Sequence, residues 1–155
     1  QPTIERMIKL PPSVMGDSWM GSDFTNDDLV RQSSIITDYS HTLLSNETLE
    51  NRNCYKIELI PNEDALVVWG KIIMWIDDAD YLQLKTEFYD EDDYLINTML
   101  GSEIKELGGK TIVSHLEVIP TEEEGHKTII NYKAFEFDQE IKDSFFSIQN
   151  AKRIR

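Results

Sequence analysis

The feature of this sequence that most constrains its fold is a long series of strand-like segments joined by turn residues. From residue 66 onwards, five such segments follow one another, and no stretch between them is long enough for a crossover helix. Parallel strands need a crossover connection, whereas antiparallel strands need only a tight turn. The sequence therefore predicts an antiparallel meander in a mainly β (α+β) domain. The predicted strands are residues 42–49, 55–60, 66–76, 82–89, 94–107, 110–119 and 126–137.

Apolar and polar residues alternate along these segments, so the two faces of the predicted sheet differ. In the fourth segment, for instance, Leu84 and Phe88 alternate with Lys85 and Glu87. One apolar and one polar face favour a curved single sheet over a two-layer sandwich, and something must cover the apolar face. Gly101 predicts a β-bulge, which would shift the alternation beyond it. The predicted apolar face comprises Ile72, Met74, Ile76, Leu84, Phe88, Ile96, Leu100, Ile104, Ile112, Leu116, Val118, Ile130 and Tyr132.

The segments on either side of the strands are short and irregular. Residues 13–24 hold bulky apolar side chains among glycines and aspartates, which predicts an ordered, packed segment rather than a helix. Thr25 is a suitable helix N-cap, so we predict a short helix that ends near Arg31 or Gln32. Residues 3–10 predict a strand that is ended by two prolines, and residues 141–146 predict a turn of helix.

Composition limits the classes of partner. The 155 residues include 29 acidic and 15 basic side chains, which give a net charge of −14. A nucleic-acid partner would require a basic face, and an anionic membrane surface would repel this chain. The length fits one domain, residues 1–155. Cys54 is the single cysteine and cannot form an internal disulfide, and no segment approaches the ~20 apolar residues of a membrane span.

No combination of residues predicts a catalytic centre, a metal site or a cofactor site. The acidic clusters at residues 77–80 and 90–93 lack the glycine of a calcium loop, so we interpret them as solvated turns. Ser102 and Lys105 match a serine–lysine nucleophile pattern, but residues three apart on a strand point to opposite faces. The three histidines lack zinc-ligand spacing. We therefore predict a non-enzymatic protein that needs no cofactor.

The bulky apolar residues leave two interpretations open, namely core packing and the lining of an apolar ligand cavity. Methionine adapts to irregular apolar ligands, and in a half-barrel the core can also be the cavity. The candidate cavity residues, inferred from strand alternation and from the irregular segment, are Trp19, Met20, Ile72, Met74, Ile76, Leu84, Phe88, Leu100, Leu116, Ile130 and Tyr132.

Several stretches resemble the LolA-like outer-membrane lipoprotein-sorting proteins. The most specific is residues 18–29, Ser-Trp-Met-Gly-Ser-Asp-Phe-Thr-Asn-Asp-Asp-Leu. Residues 71–77 and 82–90 look like the central hairpin of that family. Residues 125–128, and residues 144–146 with Lys152-Arg153, match it in type and order. The resemblance extends from about residue 4 to the end of the chain.

The resemblance implies an unclosed antiparallel half-barrel with a helical lid over an apolar cavity. It also implies a periplasmic carrier of lipoprotein acyl chains, or of another lipid, for sorting to the outer membrane. Expected partners are the lipid itself and an inner-membrane transporter or outer-membrane receptor, with a dimer through an exposed apolar face as a further expectation. The family's N-terminal helix and first strands are not recognisable, so the sequence looks like the C-terminal part of such a protein. The alternative is an accessory protein-binding module of a cell-envelope transporter system.

Overall fold

The protein forms a seven-stranded antiparallel sheet in which each strand pairs with its neighbours in the chain. The structure is a computed structural model and describes residues 11–30 and 34–151. The strand order is β1 to β7 without a crossover, so β1 and β7 lie at opposite edges of an unclosed sheet. The strands are β1 (Tyr39–Leu49), β2 (Arg52–Pro61), β3 (Lys71–Asp77), β4 (Gln83–Tyr89), β5 (Leu95–Leu107), β6 (Lys110–Pro120) and β7 (Thr128–Asn131).

The helical elements are short. They are a 3-10 turn at Pro12–Val14, helices α1 (Asn26–Val30) and α2 (Ser34–Thr37), a 3-10 turn at Asp143–Phe146 and helix α3 (Ile148–Ala151).

Tight turns join the strands. Glu50 and Asn51 both have positive φ angles, 49° and 65°, between β1 and β2. Gly108 and Gly109 do the same between β5 and β6, at 61° and 78°. Two residues with positive φ make the turn whose twist matches that of paired strands, and this explains why both connections are so short.

The predicted antiparallel meander is confirmed, as is its mainly β, unclosed architecture with short helices. Two strands are shorter than predicted by several residues. The third begins at Lys71 rather than at residue 66, because Val67, Val68 and Trp69 pack onto the core from a loop. The last strand is only Thr128–Asn131. The predictions for residues 3–10, for the end of the first helix at Arg31 or Gln32, and for Lys152-Arg153 lie outside the described residues.

The sheet has two faces, which we call the cavity face and the opposite face. The cavity face contains Ile72, which lies between its cross-strand partners Leu59 and Phe88. Ile72 and Leu59 belong to a buried cluster with Tyr39 and Trp69. The opposite face carries a second buried cluster, formed by Cys54, Ile73, Trp75 and Leu84. Successive residues of β3 therefore point into different clusters.

Leu84 lies on the opposite face, and this corrects the predicted alternation. Trp75 pairs with Lys85, but the next residue, Ile76, pairs with Gln83. Leu84 is the extra residue of this β-bulge and packs beside Trp75 instead of beside Ile72.

Leu100 also lies on the opposite face. It pairs with Lys85, whereas Met99 pairs with Thr86 on the cavity face. The alternation of one strand predicts that of the next only when the length and register of the turn between them are known.

Gly101 does not form the predicted bulge. The register between β5 and β6 does not change along their length, from the Asn97–Pro120 pair at one end to the Leu107–Lys110 pair at the other. A Cβ atom on Gly101 would lie only 2.8 Å from the carbonyl oxygen of Gln83. Glycine is therefore required here by a close backbone approach rather than by a bulge.

The opposite face is less polar than predicted, because lysine side chains cover an apolar cluster there. Trp75 is 5% exposed, and the ammonium groups of Lys56 and Lys85 lie 5.0 and 4.4 Å from its ring centroid. The indole nitrogen of Trp75 donates a 2.8 Å hydrogen bond to Glu47. Long lysine side chains can cover apolar surface while their charge stays in water, so a pattern that looks polar conceals a buried tryptophan.

Candidate ligand cavity

A cavity of about 420 Å³ lies between the cavity face and the helical segment above it. Its size is within the range of small-molecule sites. Its floor is apolar and is formed by Ile72, Met74, Phe88, Met99 and Val118. These five residues come from β3, β4, β5 and β6, so only the assembled meander creates the floor.

The roof of the cavity is formed by the segment around α1 and α2, together with the loop before β3. Its apolar side chains are Phe24, Ile35, Ile36 and Trp69. Trp69 packs on Phe88 with a centroid distance of 5.1 Å and a tilt of 43°. This aromatic contact joins the roof to the floor.

Helix α1 is fixed by a reciprocal cap. The backbone nitrogen of Asp28 donates to Oγ1 of Thr25 at 3.1 Å, and the backbone nitrogen of Thr25 donates to Oδ2 of Asp28 at 2.8 Å. The other oxygen of Asp28 accepts a 2.9 Å hydrogen bond from the indole nitrogen of Trp69. This capping box was predicted only in part, through Thr25.

The start of the roof is tied to the far edge of the sheet. Thr128 of β7 donates from Oγ1 to Oδ2 of Asp23 at 2.6 Å and accepts from the backbone nitrogen of Asp23 at 3.0 Å. Nε2 of His126 lies 3.2 Å from the other carboxylate oxygen of Asp23. The side chain of Asn97 donates to the carbonyl oxygen of Asp23 at 3.3 Å. Four polar contacts thus hold one residue of the roof over β5 and β7.

Carboxylates rather than cations surround the upper part of the cavity. Asp23, Asp27 and Asp28 line it, and its lining includes no lysine or arginine among the described residues. Burial raises the pKa of the neighbouring Tyr39 phenol well above its usual range, and the charges of Asp27, Asp28 and Asp38 raise it further. The hydroxyl of Tyr39 donates to the carbonyl oxygen of Trp69 at 3.3 Å. Among the described residues, the lining is therefore apolar below and carries carboxylates above.

A shallower depression of about 440 Å³ adjoins the cavity on its outer side. It shares Asp23, Phe24, Trp69 and Asn97 with the cavity. Glu123 and His126, from the loop between β6 and β7, border it. This depression is the outer end of the site, next to solvent.

The predicted site residues are only partly brought together. Ile72, Met74 and Phe88 line the cavity. Trp19 and Met20 are 43% and 85% exposed and do not line it.

The remaining predicted residues lie elsewhere. Ile76, Leu116 and Ile130 follow the register of the cavity face but lie outside the cavity lining. Tyr132 packs on Phe135, 5.0 Å away, past the end of β7. Leu84 and Leu100 lie on the opposite face.

Sequence reasoning missed several lining residues. Tyr39 and Trp69 lie outside the alternation, one at the start of β1 and the other in a loop. Met99 and the polar residues Gln83 and Asn97 also line the cavity, and so does Val118, which the alternation had placed on the apolar face without including it among the candidate cavity residues. No pattern in the sequence assigns Trp69 or Met99 to a face of the sheet.

Among the residues that the structure describes around the cavity, the hydrogen bonds do not pair a nucleophile with a base. The hydroxyl of Thr128 donates to Asp23 and not to His126. Ser102 and Lys105 are three residues apart on β5 and therefore lie on opposite faces of the sheet. Lys105 forms an ion pair with Glu103. Within residues 11–30 and 34–151, no cluster of histidine, cysteine or carboxylate side chains has the arrangement of a metal site. In the same residues, no helix combines the length and apolar character of a membrane span.

Comparisons with known proteins agree with this architecture. A family model described as "-like: Uncharacterized protein" matches residues 1–153. Comparison with curated proteins gives no match.

Three solved structures are similar to this chain. A DUF1329 family protein from Desulfovibrio piger has a TM-score of 0.79 at 24% identity, over 87% of this chain and 55% of its own. A domain from Vibrio parahaemolyticus that is named as an outer membrane lipoprotein-sorting protein domain has a TM-score of 0.79 at 25% identity, over 92% and 60%. A LolA superfamily protein from Nitrosomonas europaea has a TM-score of 0.74 at 20% identity, over 95% and 64%. The chain thus spans 55 to 64% of the length of these structures.

Proposed function

We propose that this chain, which shares its fold with an outer membrane lipoprotein-sorting protein domain and a LolA superfamily protein, is a periplasmic carrier that holds lipoprotein acyl chains, or another lipid, in its cavity. The observation that carries the proposal is the apolar floor of Ile72, Met74, Phe88, Met99 and Val118 beneath a separate helical roof. An apolar chain placed there would leave water for an apolar surface, at about 0.8 kcal/mol per buried methylene.

A carrier of this kind needs no catalytic group. Its work is to hold the chain between a donor and an acceptor and then release it, with the roof as the part that opens. Polar contacts of Asp23 with Thr128 and Asn97 hold the start of the roof over the sheet, and these are the contacts that opening would break. Transfer of a lipid towards the outer membrane is the proposed outcome, and the protein itself is proposed to be non-enzymatic.

The proposal is tested by asking what the protein binds. We expect native mass spectrometry of protein purified from a bacterial envelope to show a lipid adduct that organic solvent removes. We also expect the stripped protein to bind a fluorescent acyl probe at one site, and unlabelled lipid to displace the probe. Protein that carries no lipid after repeated gentle purification, and that also binds no acyl probe, would contradict the carrier proposal.

A second candidate function is a protein-binding module of a cell-envelope transporter system. The exposure of Trp19 and Met20 favours it, because apolar side chains at such positions often anchor a protein partner. The acidic chain would select a basic partner. A stable complex with an envelope protein, lost in a Met20→Asp variant and unaffected when the cavity is blocked, would favour this function over lipid carriage.

A further inference from the structure

The cavity and the outer depression meet at a boundary formed by residues that line both spaces. These boundary residues are Asp23, Phe24, Trp69 and Asn97. The cavity has an apolar floor, whereas serine, asparagine and histidine side chains are among the residues that line the depression. An amphiphile that lay across the boundary would therefore have its apolar chain on the floor and its polar part in the depression.

Three of the four boundary residues are fixed in place. Trp69 is 7% exposed, and its ring packs on Phe88. Asn97 is also 7% exposed and donates to the carbonyl oxygen of Asp23 at 3.3 Å. Asp23 is itself held by two hydrogen bonds with Thr128. None of these three side chains can leave the boundary without the loss of such a contact.

Phe24 differs from the other three. Its side chain is partly exposed, and within the described part of the chain it belongs to neither buried cluster and stacks on no aromatic ring. Its main chain is held, because its carbonyl oxygen accepts a 2.7 Å hydrogen bond from the Trp19 amide and because it follows Asp23 directly. The ring of Phe24 is therefore the least anchored part of the boundary, and its position depends on the start of the roof rather than on core packing.

We propose that an acyl chain enters and leaves the cavity from the depression, between Trp69 and Phe24, and that the ring of Phe24 is the gate that closes this passage. This inference rests on the proposed function, since it assumes that the cavity holds an acyl chain. It adds the path of the chain and the side chain that controls its rate of exchange. When the contacts of Asp23 break, the adjacent Phe24 moves with the start of the roof and the passage opens.

The test measures rates of binding in addition to affinity. The probe is a monoacylglycerol whose acyl chain is cis-parinaric acid, which is fluorescent without a bulky label, and it is mixed with the full, lipid-free chain in a stopped-flow instrument. A side chain that only contacts the bound ligand acts mainly on dissociation, whereas a gate changes association as well. We expect the association rate constant to rise about fivefold in Phe24→Leu and to fall by a similar factor in Phe24→Trp. Unchanged association in both variants would overturn the gate and leave the carrier proposal standing. Failure of the wild type to bind the probe would overturn the carrier proposal and the gate together.

Two control variants separate the gate from the rest of the lining. Phe88→Leu makes the same substitution on the floor, which borders the cavity but not the depression. Ile36→Trp enlarges a residue that lines the cavity and is 78% exposed, so it marks the other side on which a chain could enter. We expect both substitutions to change the dissociation rate, since both residues line the cavity, and to leave association within about twofold of the wild type. Slower association in Ile36→Trp but not in Phe24→Trp would place the entrance at α2 and overturn the proposal.

A reversible label removes any difference in folding between variants. Cys54 is 1% exposed, so a thiol reagent should modify only the introduced thiol of Phe24→Cys. We expect labelling with benzyl methanethiosulfonate, which restores an aromatic ring at this position, to slow association of the probe about fivefold, and a reductant to restore the faster rate. Association that is equally fast with and without the label would contradict the assignment of Phe24 as the gate.

Discussion

The indole nitrogen of Trp69 donates a 2.9 Å hydrogen bond to Oδ1 of Asp28, which joins the loop before β3 to helix α1. The same tryptophan ring packs on Phe88 of β4. One side chain thus links the roof of the cavity to its floor, by a polar contact at one end and an apolar contact at the other.

Replacing Trp69 should measure the strength of that link. In Trp69→Phe, the part-buried carboxylate of Asp28 loses its indole donor, and we expect the free energy of unfolding to fall by about 1–3 kcal/mol. Urea denaturation followed by circular dichroism measures the change. Trp19→Phe is the matched control, because Trp19 is 43% exposed, and it should stay within about 0.5 kcal/mol of the wild type. Equal effects of the two substitutions would show that the hydrogen bond contributes nothing.

Two adjacent residues of β5 distinguish the cavity from the rest of the sheet. Met99 lines the cavity, whereas Leu100 faces the other way and pairs with Lys85. We expect Met99→Trp to fill the cavity and lower the affinity for a fluorescent acyl probe by about tenfold, because the larger ring occupies the space of the ligand. Leu100→Trp should leave probe affinity nearly unchanged. If Leu100→Trp lowered probe affinity more than Met99→Trp does, the binding site would lie on the opposite face of the sheet.

The contact between Asp23 and Thr128 should control the opening of the roof. Thr128→Val removes the hydroxyl that bonds both the carboxylate and the backbone nitrogen of Asp23. We expect faster hydrogen exchange at the Asp23 amide, equivalent to about 1 kcal/mol of lost protection, with little change in the central strands. Thr111→Val, at an exposed position of β6, serves as the control. An unchanged Asp23 exchange rate would show that the roof is held in another way.

His115 should make stability depend on pH. Hydrogen bonds with Asn131 and Glu117 raise the pKa of its imidazole above the ordinary value. A raised pKa in the folded state contributes stability that is fully present below the unfolded pKa, near 6.5, and is lost as pH rises through the folded value. We therefore expect the melting temperature of wild type to exceed that of His115→Gln by more at pH 5.5 than at pH 8.5. The control is His41→Gln in β1, at the far edge of the sheet. If the difference in melting temperature between wild type and His115→Gln grew as pH rises, the raised pKa of His115 in the folded state would be contradicted.

Gly101 offers a test of close backbone approach. Alanine there would place Cβ 2.8 Å from the Gln83 carbonyl oxygen and 2.9 Å from Cγ1 of Val113. We expect Gly101→Ala to destabilise the protein by about 1–3 kcal/mol, measured by thermal unfolding. At Gly16 the nearest atom would be 4.0 Å away, so Gly16→Ala should be tolerated. Equal tolerance at both positions would mean that β4 and β5 can separate without cost.

The meander could be predicted from the sequence because its signals are local. Alternation marked the strands, and turn residues such as Gly108 and Gly109 marked the hairpins. The faces could not be predicted equally well, because the face of a residue depends on register with the next strand. The bulge at Leu84 moves the Leu84 side chain to the opposite face, and no neighbouring residue in the sequence predicts this bulge.

The cavity was harder to predict because its residues are assembled from distant places. Trp69 belongs to a loop. Asp28 caps helix α1 and also accepts a hydrogen bond from the indole nitrogen of Trp69. The resemblance to a known family indicated that residues 18–29 matter, but the exposed Trp19 and Met20 of that segment are not the ones that line the cavity. The residues of this segment that line the cavity lie further along it and are Phe24, Asp27 and Asp28.

The bond between Asp23 and Thr128 joins residues 105 positions apart, whereas the meander itself is built from neighbouring hairpins. Contacts at long sequence separation carry the largest loop-closure cost, so we expect the roof to dock last, after β7 has been added to the sheet. During synthesis, the apolar floor would then be complete only once β6 has been added, and it would remain an open surface until β7 follows and the roof docks. For this fold, closing the cavity is the final step of folding, and a chaperone that shields the open sheet until then would act on the same surface that later receives the ligand.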